Sequence, residues 1–302
     1  MLDVALLGTG GMMPLPERHL TSLMLRLEGR MMVIDCGEGT QVTMKQLGWG
    51  FKNIDVICFT HYHADHISGL PGLLLTIGNS FRTEPLILAG PKGLSKIYDG
   101  LKAICPELPF PVEIVELEPD EGLNAGVFNI KSLKVNHKIT CYAYRVDVKR
   151  AGRFNVEKAI ELNVPKKVWS VLQKQPEVEY EGKIYTSDMV LGDDRRGLTV
   201  SYCTDTRPVD GLPAFIEGSD LFICEGMYGE EEKLAKAKEY KHMLFSEAAR
   251  LAKAGNVREM WLTHFSPAMP FPEMYIKNAR DIFENTHLGK DRKTVSLMFD
   301  DE

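Results

Sequence analysis

The sequence lacks three features that would direct its interpretation elsewhere. It has six cysteines in 302 residues, scattered singly and without a Cys-x-x-Cys pair, so buried thiols in a reducing cytosol are a better interpretation than a disulfide framework. No apolar run approaches the ~20 residues that a membrane span requires. The first residues, 1–4, do not begin a charged leader with an apolar core, as a secretory signal would. We therefore predict a cytoplasmic protein.

A global excess of positive charge is also absent. The 36 Lys and Arg residues are outnumbered by 42 Asp and Glu residues, which gives a formal net charge of −6. Any nucleic-acid binding would therefore need a local basic patch. The hydrophobic content of 44% is ordinary for a soluble globular protein, and the length allows one large domain or two modest ones.

The most informative stretch lies between an apolar run at 54–59, which predicts a buried strand, and a run at 67–75, which predicts the start of a helix. It reads Thr-His-Tyr-His-Ala-Asp-His and contains four potential metal ligands: His61, His63, Asp65 and His66. Imidazole and carboxylate groups are the ligands expected for zinc and similar divalent ions. Taken singly, each is more often a surface or capping residue, but four in one turn indicate a metal site.

The spacing within this stretch predicts more than one ion. His61 and His63 are two residues apart, so one short turn can direct both to a single ion. Asp65 and His66 follow immediately and cannot easily share that position, so we predict a second ion beside the first. Asp35, at the end of a predicted strand, is either an orienter of a ligating histidine or a helix cap.

Apolar runs of strand length alternate with amphipathic stretches along most of the chain. After residue 80, strands are predicted at 85–89, 112–117, 126–135, 141–148, 198–203, 221–224, 257–262 and 294–299, and helices at 92–103, 230–240, 246–254 and 272–284. Pro208 predicts one more helix start. This alternation indicates a layered α/β protein with the sheet inside and helices outside.

Three distant residues share a position with the histidine-rich stretch. His137, Asp205 and His264 each lie at or near the end of a predicted strand. Because ligands of α/β sheets gather at strand ends, these residues could converge with the first four. Two four-coordinate ions need eight contacts, so seven ligands suffice if one carboxylate bridges, and Asp205 is the natural bridge. A carboxylate beside Pro208 is also a usual helix N-cap.

The segment 149–197 differs in character from the rest. Its first half, through Lys174, carries seven basic residues and two acidic ones, while Pro165 and Pro176 interrupt regular structure. Residues 156–163 have helix-like spacing. We interpret the segment as an inserted basic arm, with a solvated surface excursion that has no partner as the alternative.

With its histidine-rich stretch and the distant residues at strand ends, the sequence resembles the ribonuclease Z family of the metallo-β-lactamase superfamily. The resemblance covers nearly the whole chain and rests on 7–10, 16–18, 35–41, 60–66, 69–74, 82–86, 90–93, 137, 144–145, 205–207 and 263–266. It implies a four-layer αββα sandwich, one domain over 1–302 with an exosite-like arm at 149–197, and a homodimer.

The resemblance also implies how the site residues divide. His61, His63 and His137 would bind one zinc, Asp65, His66 and His264 the other, and Asp205 would bridge them, with manganese as a possible substitute. Asp65 would orient the attacking water and accept its proton. His242, supported by Glu225, would donate a proton to the leaving oxygen.

The implied activity is that of a zinc-dependent endonuclease that cleaves the 3′ trailer of precursor tRNA and leaves a 3′-hydroxyl, with the arm on the tRNA backbone. The alternative is a metallo-phosphodiesterase of small or cyclic nucleotides. The chain departs from the family at Cys224, where a His is usual, and at Lys166 and Lys167, where the arm usually carries Gly-Pro. An iron oxidoreductase is disfavoured because diiron relatives carry Glu at the position of His63.

Overall fold

The computed structural model describes residues 1–105 and 107–300. The strands are β1 (Leu2–Gly8), β2 (Ser22–Leu27), β3 (Arg30–Ile34), β4 (Ile54–Cys58), β5 (Leu86–Pro91), β6 (Val112–Leu117), β7 (Gly122–Ala125), β8 (Phe128–Val135), β9 (Cys141–Arg150), β10 (Glu177–Tyr180), β11 (Lys183–Thr186), β12 (Arg195–Cys203), β13 (Leu221–Glu225), β14 (Met260–Thr263), β15 (Thr286–Leu288) and β16 (Thr294–Leu297).

The α-helices are α1 (Thr40–Leu47), α2 (Ala64–Ile67), α3 (Leu70–Gly78), α4 (Leu94–Lys102), α5 (Val156–Glu161), α6 (Trp169–Leu172), α7 (Leu212–Phe215), α8 (Leu234–Tyr240), α9 (Phe245–Ala254) and α10 (Ile276–Arg280). Short 3-10 turns lie at Lys166–Val168, Ser187–Met189, Glu231–Lys233 and Pro272–Met274. The helices of the described residues all lack the combination of length and hydrophobicity that a membrane-spanning helix needs.

Two seven-stranded sheets form the inner layers of the larger of two compact units, Met1–Asp147 with Thr199–Met298. The strand orders are β16-β1-β2-β3-β4-β5-β6 and β15-β14-β13-β12-β9-β8-β7. The sheets face each other: Tyr144 on β9 donates a hydrogen bond to the carbonyl of Phe59 at the end of β4. Every residue of β1 is buried, so its alternating side chains are covered on both faces.

Helices cover the outer faces of these sheets. Leu73 and Leu74 of α3 and Leu94 of α4 belong to the apolar core of the first sheet. Phe245 of α9 and Ala279 of α10 belong to the core of the second. The predicted αββα sandwich is therefore confirmed, and its parallel strands end together at one edge of each sheet.

The smaller unit comprises Val148–Leu198 together with Phe299 and Asp300. It has a small core of its own, in which six side chains are buried: Ala159, Val164, Val168, Leu172, Tyr185 and Val190. Trp169 packs its ring 5.1 Å from that of Phe154 and donates its indole N–H to the carbonyl of Val164. The predicted arm, 149–197, lies within these bounds.

Two helix predictions are wrong. No helix starts at Pro208, because Arg207 commits its backbone N–H to the carbonyl of Asn136, and the next helix begins at Leu212. The predicted helix 272–284 is a 3-10 turn and a short helix separated by Tyr275, whose backbone has φ −113°. Tyr275 donates its hydroxyl to Glu230, and this tertiary contact overrides the helical pattern.

Candidate metal centre

Seven potential ligands meet where strands of both sheets end. His61 and His63 follow β4, and His63 caps the short helix α2, which carries Asp65 and His66. His137 follows β8, Asp205 follows β12, and His264 follows β14. The register of the second sheet aligns these ends, since Cys203 pairs with Cys224 and Glu225 with Thr263. All seven predicted ligands are thus brought together.

One group consists of His61, His63 and His137. Nε2 of His61 lies 2.9 Å from Nδ1 of His63, which lies 3.2 Å from Nε2 of His137. Oδ2 of Asp205 lies 3.8 Å from Nε2 of both His61 and His137. Ligands about 2.0 Å from a tetrahedral zinc are separated by roughly 3.3 Å, so this group has the dimensions of one coordination shell.

The second group consists of Asp65, His66 and His264. Nε2 of His66 and Nε2 of His264 are 3.2 Å apart, and Oδ2 of Asp65 lies 3.6 Å from the first and 3.5 Å from the second. Oδ1 of Asp205 is 3.2 Å from both nitrogens. Asp205 therefore turns one oxygen toward each group, which is the arrangement of a bridging carboxylate.

The donor set fits metal binding better than hydrogen bonding. Oδ1 of Asp205 is buried and accepts no hydrogen bond of acceptable geometry from the described residues, although two imidazole nitrogens are near. A buried carboxylate oxygen without a donor is costly unless a cation satisfies it. Together, the imidazole and carboxylate atoms of these seven residues could hold metal ions.

Backbone strain also marks the site. Asp35, Asp205 and His264 have φ values of 60°, 51° and 55°, in the left-handed region that non-glycine residues rarely adopt. Such strain persists only where the surroundings enforce it, and it clusters at functional sites. Gly11 shows how tightly His264 is packed, because a Cβ atom there would lie 2.7 Å from Cε1 of that ring.

The electrostatics of the cluster favour cations. Burial opposes ionisation of Asp205, yet His264, His66 and His61 hold the pKa of its carboxyl well below the usual range. Burial would lower the pKa of His66, but Asp205 and Asp35 raise it well above its ordinary value. The field that attracts a proton to His66 also attracts a divalent ion, whose binding would release that proton.

The first group is prepared for ligation in a different way. Burial lowers the pKa values of His63 and His137, and that of His61 well below its ordinary value. Burial therefore favours the neutral imidazole, which is the form that binds a metal. Nδ1 of His137 lies 3.4 Å from the carbonyl of Lys241, which favours a proton on Nδ1 and a free lone pair on Nε2.

Asp35 orients His66, as the sequence allowed. Its Oδ2 lies 2.8 Å from Nδ1 of His66, and the carboxylate also accepts hydrogen bonds from the backbone N–H and the hydroxyl of Thr60. Both side chains of the Asp35–His66 pair are fully buried. A carboxylate that accepts the Nδ1 proton fixes the tautomer and directs Nε2 to the metal position.

His242 and Glu225 form a pair beside the ligands. Nδ1 of His242 lies 3.1 Å from Oε2 of Glu225, whose Oε1 accepts the backbone N–H of Thr206. Burial would lower the pKa of His242, but Glu225 raises it to about 9. A raised pKa favours the protonated imidazole, which is the form that can donate a proton.

Sequence reasoning missed two contacts that hold the site together. The backbone N–H of Met12 donates to Oδ2 of Asp65 over 2.7 Å. Arg207 forms a bidentate pair with Glu247 and donates to the carbonyl of His242, so it ties the Asp205 turn to the His242 loop. The Gly-rich stretch at 8–11 indicated a turn whose backbone can approach a neighbouring site, as that of Met12 does. Nothing in the sequence indicated the contacts of Arg207.

A cavity of about 290 Å³ opens above the ligands. Its walls include His63, Asp65, His137, Asp205, His242 and His264, together with Met12, Lys138, Tyr228, Lys236, Tyr240 and Ser266. Outside molecules can thus reach the ligand atoms and the His242 ring from one side.

Known proteins resemble this chain over its full length. Proteins named ribonuclease Z from Agathobacter rectalis and Lachnospira eligens are 56% and 57% identical, each comparison covering 100% of both chains. The crystal structure of the short form of human tRNase Z has a TM-score of 0.72 at 26% identity and covers 98% of this chain and 100% of its own. The family model described as anti-Pycsar protein Apyc1 matches residues 2–102.

Proposed function

Because this chain belongs to the ribonuclease Z family and is a phosphodiester-hydrolysing endoribonuclease of the metallo-β-lactamase fold, we propose that it holds two zinc ions and removes the 3′ trailer of precursor tRNA. The product would carry a 3′-hydroxyl. The observation that carries this proposal is the pair of ligand groups that share the two oxygens of Asp205.

The residues that would hold the ions follow from these groups. His61, His63 and His137 would bind one zinc and Asp65, His66 and His264 the other, with Asp205 between them. Manganese is compatible with the same nitrogen and oxygen donors. When bound, the ions would supply Lewis acidity, which lowers the pKa of water and neutralises charge on a phosphodiester.

Asp65 is the residue that would accept a proton from the attacking water. Burial opposes its ionisation, but hydrogen bonding to His264 and the charge of His66 lower the pKa of its carboxyl. Its side chain retains 13% of its exposure and lines the cavity, so it can contact water there. The backbone N–H of Met12 fixes its Oδ2, which keeps the carboxylate oriented.

His242 would donate a proton to the oxygen that leaves. Its Nδ1 is engaged with Glu225, and the ring lines the cavity 5.6 Å from the ring of His264. A protonated imidazole near the ligands can stabilise a departing 3′ oxygen by general acid catalysis. Glu225 would keep the imidazole charged and oriented.

We infer that the segment 149–197 is the arm that binds the tRNA backbone. Over its whole length it carries ten basic and eight acidic residues, and the basic ones are concentrated before Pro176. Lys166 and Lys167 are exposed, with their ammonium groups 5.8 Å over the rings of Trp169 and Tyr180. Positive charge of this kind gives affinity for phosphates without reading sequence.

We also infer a cytoplasmic homodimer. All six cysteines are free thiols, as expected in a reducing compartment. On and beside α1 and α3, Val42, Leu75 and Phe81 are 46%, 44% and 84% exposed, which supports this apolar face as the contact between two copies. Sedimentation of the wild type and of Phe81→Asp would test it, and a monomeric wild type would contradict it.

The test is cleavage of a 3′-extended precursor tRNA beside bis-p-nitrophenyl phosphate and cyclic nucleotides, with metal content measured on the same sample. We expect cleavage at the trailer junction, a 3′-hydroxyl on the product and two zinc ions per chain. Hydrolysis of the small substrates with an intact precursor would contradict the tRNA assignment and favour a small-molecule phosphodiesterase.

A further inference from the structure

One wall of the cavity takes no part in the proposed chemistry. It consists of four residues, called the rim wall here: Lys138, Tyr228, Lys236 and Tyr240. Lys138 directly follows the ligand His137, while Lys236 and Tyr240 lie on α8. These elements come from distant parts of the chain, so the fold creates the cluster beside the ligand atoms.

The rim wall presents positive charge on aromatic rings. Nζ of Lys138 lies 4.7 Å from the ring centre of Tyr240, and Nζ of Lys236 lies 5.8 Å from that of Tyr228 and 6.0 Å from that of Tyr240. In the described part of the chain neither ammonium group has a carboxylate partner, whereas Lys233 nearby pairs with Glu230. A ring can hold an ammonium group without neutralising it, so both charges stay available to a phosphate.

The position of the rim wall relative to His242 identifies which part of a substrate it faces. The ring of Tyr228 lies 6.5 Å from that of His242, the group placed to protonate the leaving oxygen. In a hydrolysis that leaves a 3′-hydroxyl, the leaving oxygen belongs to the nucleotide on the 5′ side of the scissile phosphate. That nucleotide therefore lies on the His242 side of the site, where the rim wall is.

We propose that the rim wall binds this nucleotide, with its base stacked on Tyr240 and its own 5′ phosphate between Lys138 and Lys236. The inference rests on the proposed function, because it takes a single-stranded RNA 3′ end as the substrate. Tyr240 is 41% exposed, so a base can reach its ring. The free energy gained by stacking a base on the Tyr240 ring exceeds that of an exposed cation–π contact. The two ammonium groups therefore leave the ring and contact the phosphate.

The test measures kcat/KM of the zinc-loaded enzyme for the precursor tRNA and for bis-p-nitrophenyl phosphate, which has no neighbouring nucleotide. For Tyr240→Ala we expect the loss on the precursor to exceed the loss on the small diester by roughly 5- to 100-fold, mainly in KM. Tyr240→Phe keeps the ring and should restore most of it. For Lys236→Ala, the slope of log kcat/KM against log salt should fall by about 0.7, the value for one phosphate contact on a single strand.

The matched control is Lys238→Ala, on the same helix but outside the cavity lining, which should leave both activities and the salt slope as in the wild type. Equal losses on the two substrates for Tyr240→Ala would overturn the proposal and assign α8 a structural role. So would a precursor activity unaffected by that variant. A wild type that leaves the precursor intact would instead overturn the proposed function, and this inference with it.

Discussion

The cluster of potential ligands in the larger unit and the lysines of the smaller unit are built in opposite ways. In the larger unit His61, His66 and His264 are fully buried at strand ends, and hydrogen bonds or tight packing fix their positions. In the smaller unit Lys166 and Lys167 are exposed, and their ammonium groups lie 5.8 Å from the rings of Trp169 and Tyr180. The first region combines strand ends with buried charge, and the second combines a small core with exposed charge.

This difference separates chemistry from affinity. Metal ligation needs donor atoms fixed to a few tenths of an ångström, which only a buried and hydrogen-bonded network provides. Phosphate contacts by lysines tolerate wide geometry because they act through charge. Changes in the larger unit should therefore lower activity on every phosphodiester, whereas changes in the smaller unit should lower activity on tRNA selectively.

The largest effect is expected from Asp205→Ala. Its removal leaves both ligand groups without their shared carboxylate, so both ions should be lost. Because two-metal sites supply several kcal/mol of barrier lowering, we expect kcat/KM to fall by roughly a thousandfold or more on precursor tRNA and on bis-p-nitrophenyl phosphate alike. Metal analysis on the same sample checks the cause. Retention of two ions with full activity would contradict the bridging role.

Replacing 149–197 by a short linker should separate the activity on precursor tRNA from the activity on small diesters. We expect a loss of roughly 10- to 1000-fold in kcat/KM on precursor tRNA, since several phosphate contacts disappear, and a much smaller loss on the small diester. Zinc content should match the wild type. The double variant Lys166→Ala/Lys167→Ala, which keeps the fold of the unit, should move in the same direction with a reduced salt dependence. Equal loss on both substrates would show that the segment is structural.

Asp35→Asn tests whether the carboxylate that orients His66 contributes to zinc affinity. An amide oriented by Thr60 no longer accepts the Nδ1 proton of His66 as a carboxylate does. Loss of such a partner costs roughly 10- to 100-fold in metal affinity or activity. Zinc affinity measured by competition with a chelator checks this effect. An unchanged affinity would restrict Asp35 to a folding role.

The smallest effect is expected at Arg207, which does not line the cavity. Arg207→Ala should release the His242 loop from the Asp205 turn and lower kcat by about tenfold on both substrates, with zinc content retained. Arg207→Lys keeps the charge but not the bidentate contact to Glu247, so it should recover only part of the loss. Recovery of full activity by the lysine variant would show that charge alone suffices.

Much of the fold was predictable because buried strands are encoded as runs of apolar residues. The apolar runs at β4, β12 and β14 indicated buried strands, and the ligands after them followed from the rule that sites lie at strand ends. The expectation that Asp205 would bridge came from counting ligands, and the structure turns one of its oxygens to each group.

The parts of the fold and of the site that were not predicted depend on tertiary contacts that no local sequence pattern encodes. Pro208 has the sequence of a helix start, yet the hydrogen bond between Arg207 and Asn136 fixes the backbone otherwise. The hairpin β10–β11 was missed because weak alternation hid it, although Glu181 and Gly182 occupy a two-residue turn with positive φ. The rim wall and the Arg207–Glu247 pair join residues far apart in sequence, so only the fold brings them together.

The most direct test of the account is a crystal structure of the zinc-loaded protein with anomalous scattering measured at the zinc edge. We predict two peaks roughly 3.5 to 4 Å apart, with the two oxygens of Asp205 each within about 2.2 Å of a different peak. His137 should ligate the first ion and His264 the second. A single peak, or an Asp205 carboxylate that contacts only one ion, would contradict the binuclear centre on which the proposed function rests.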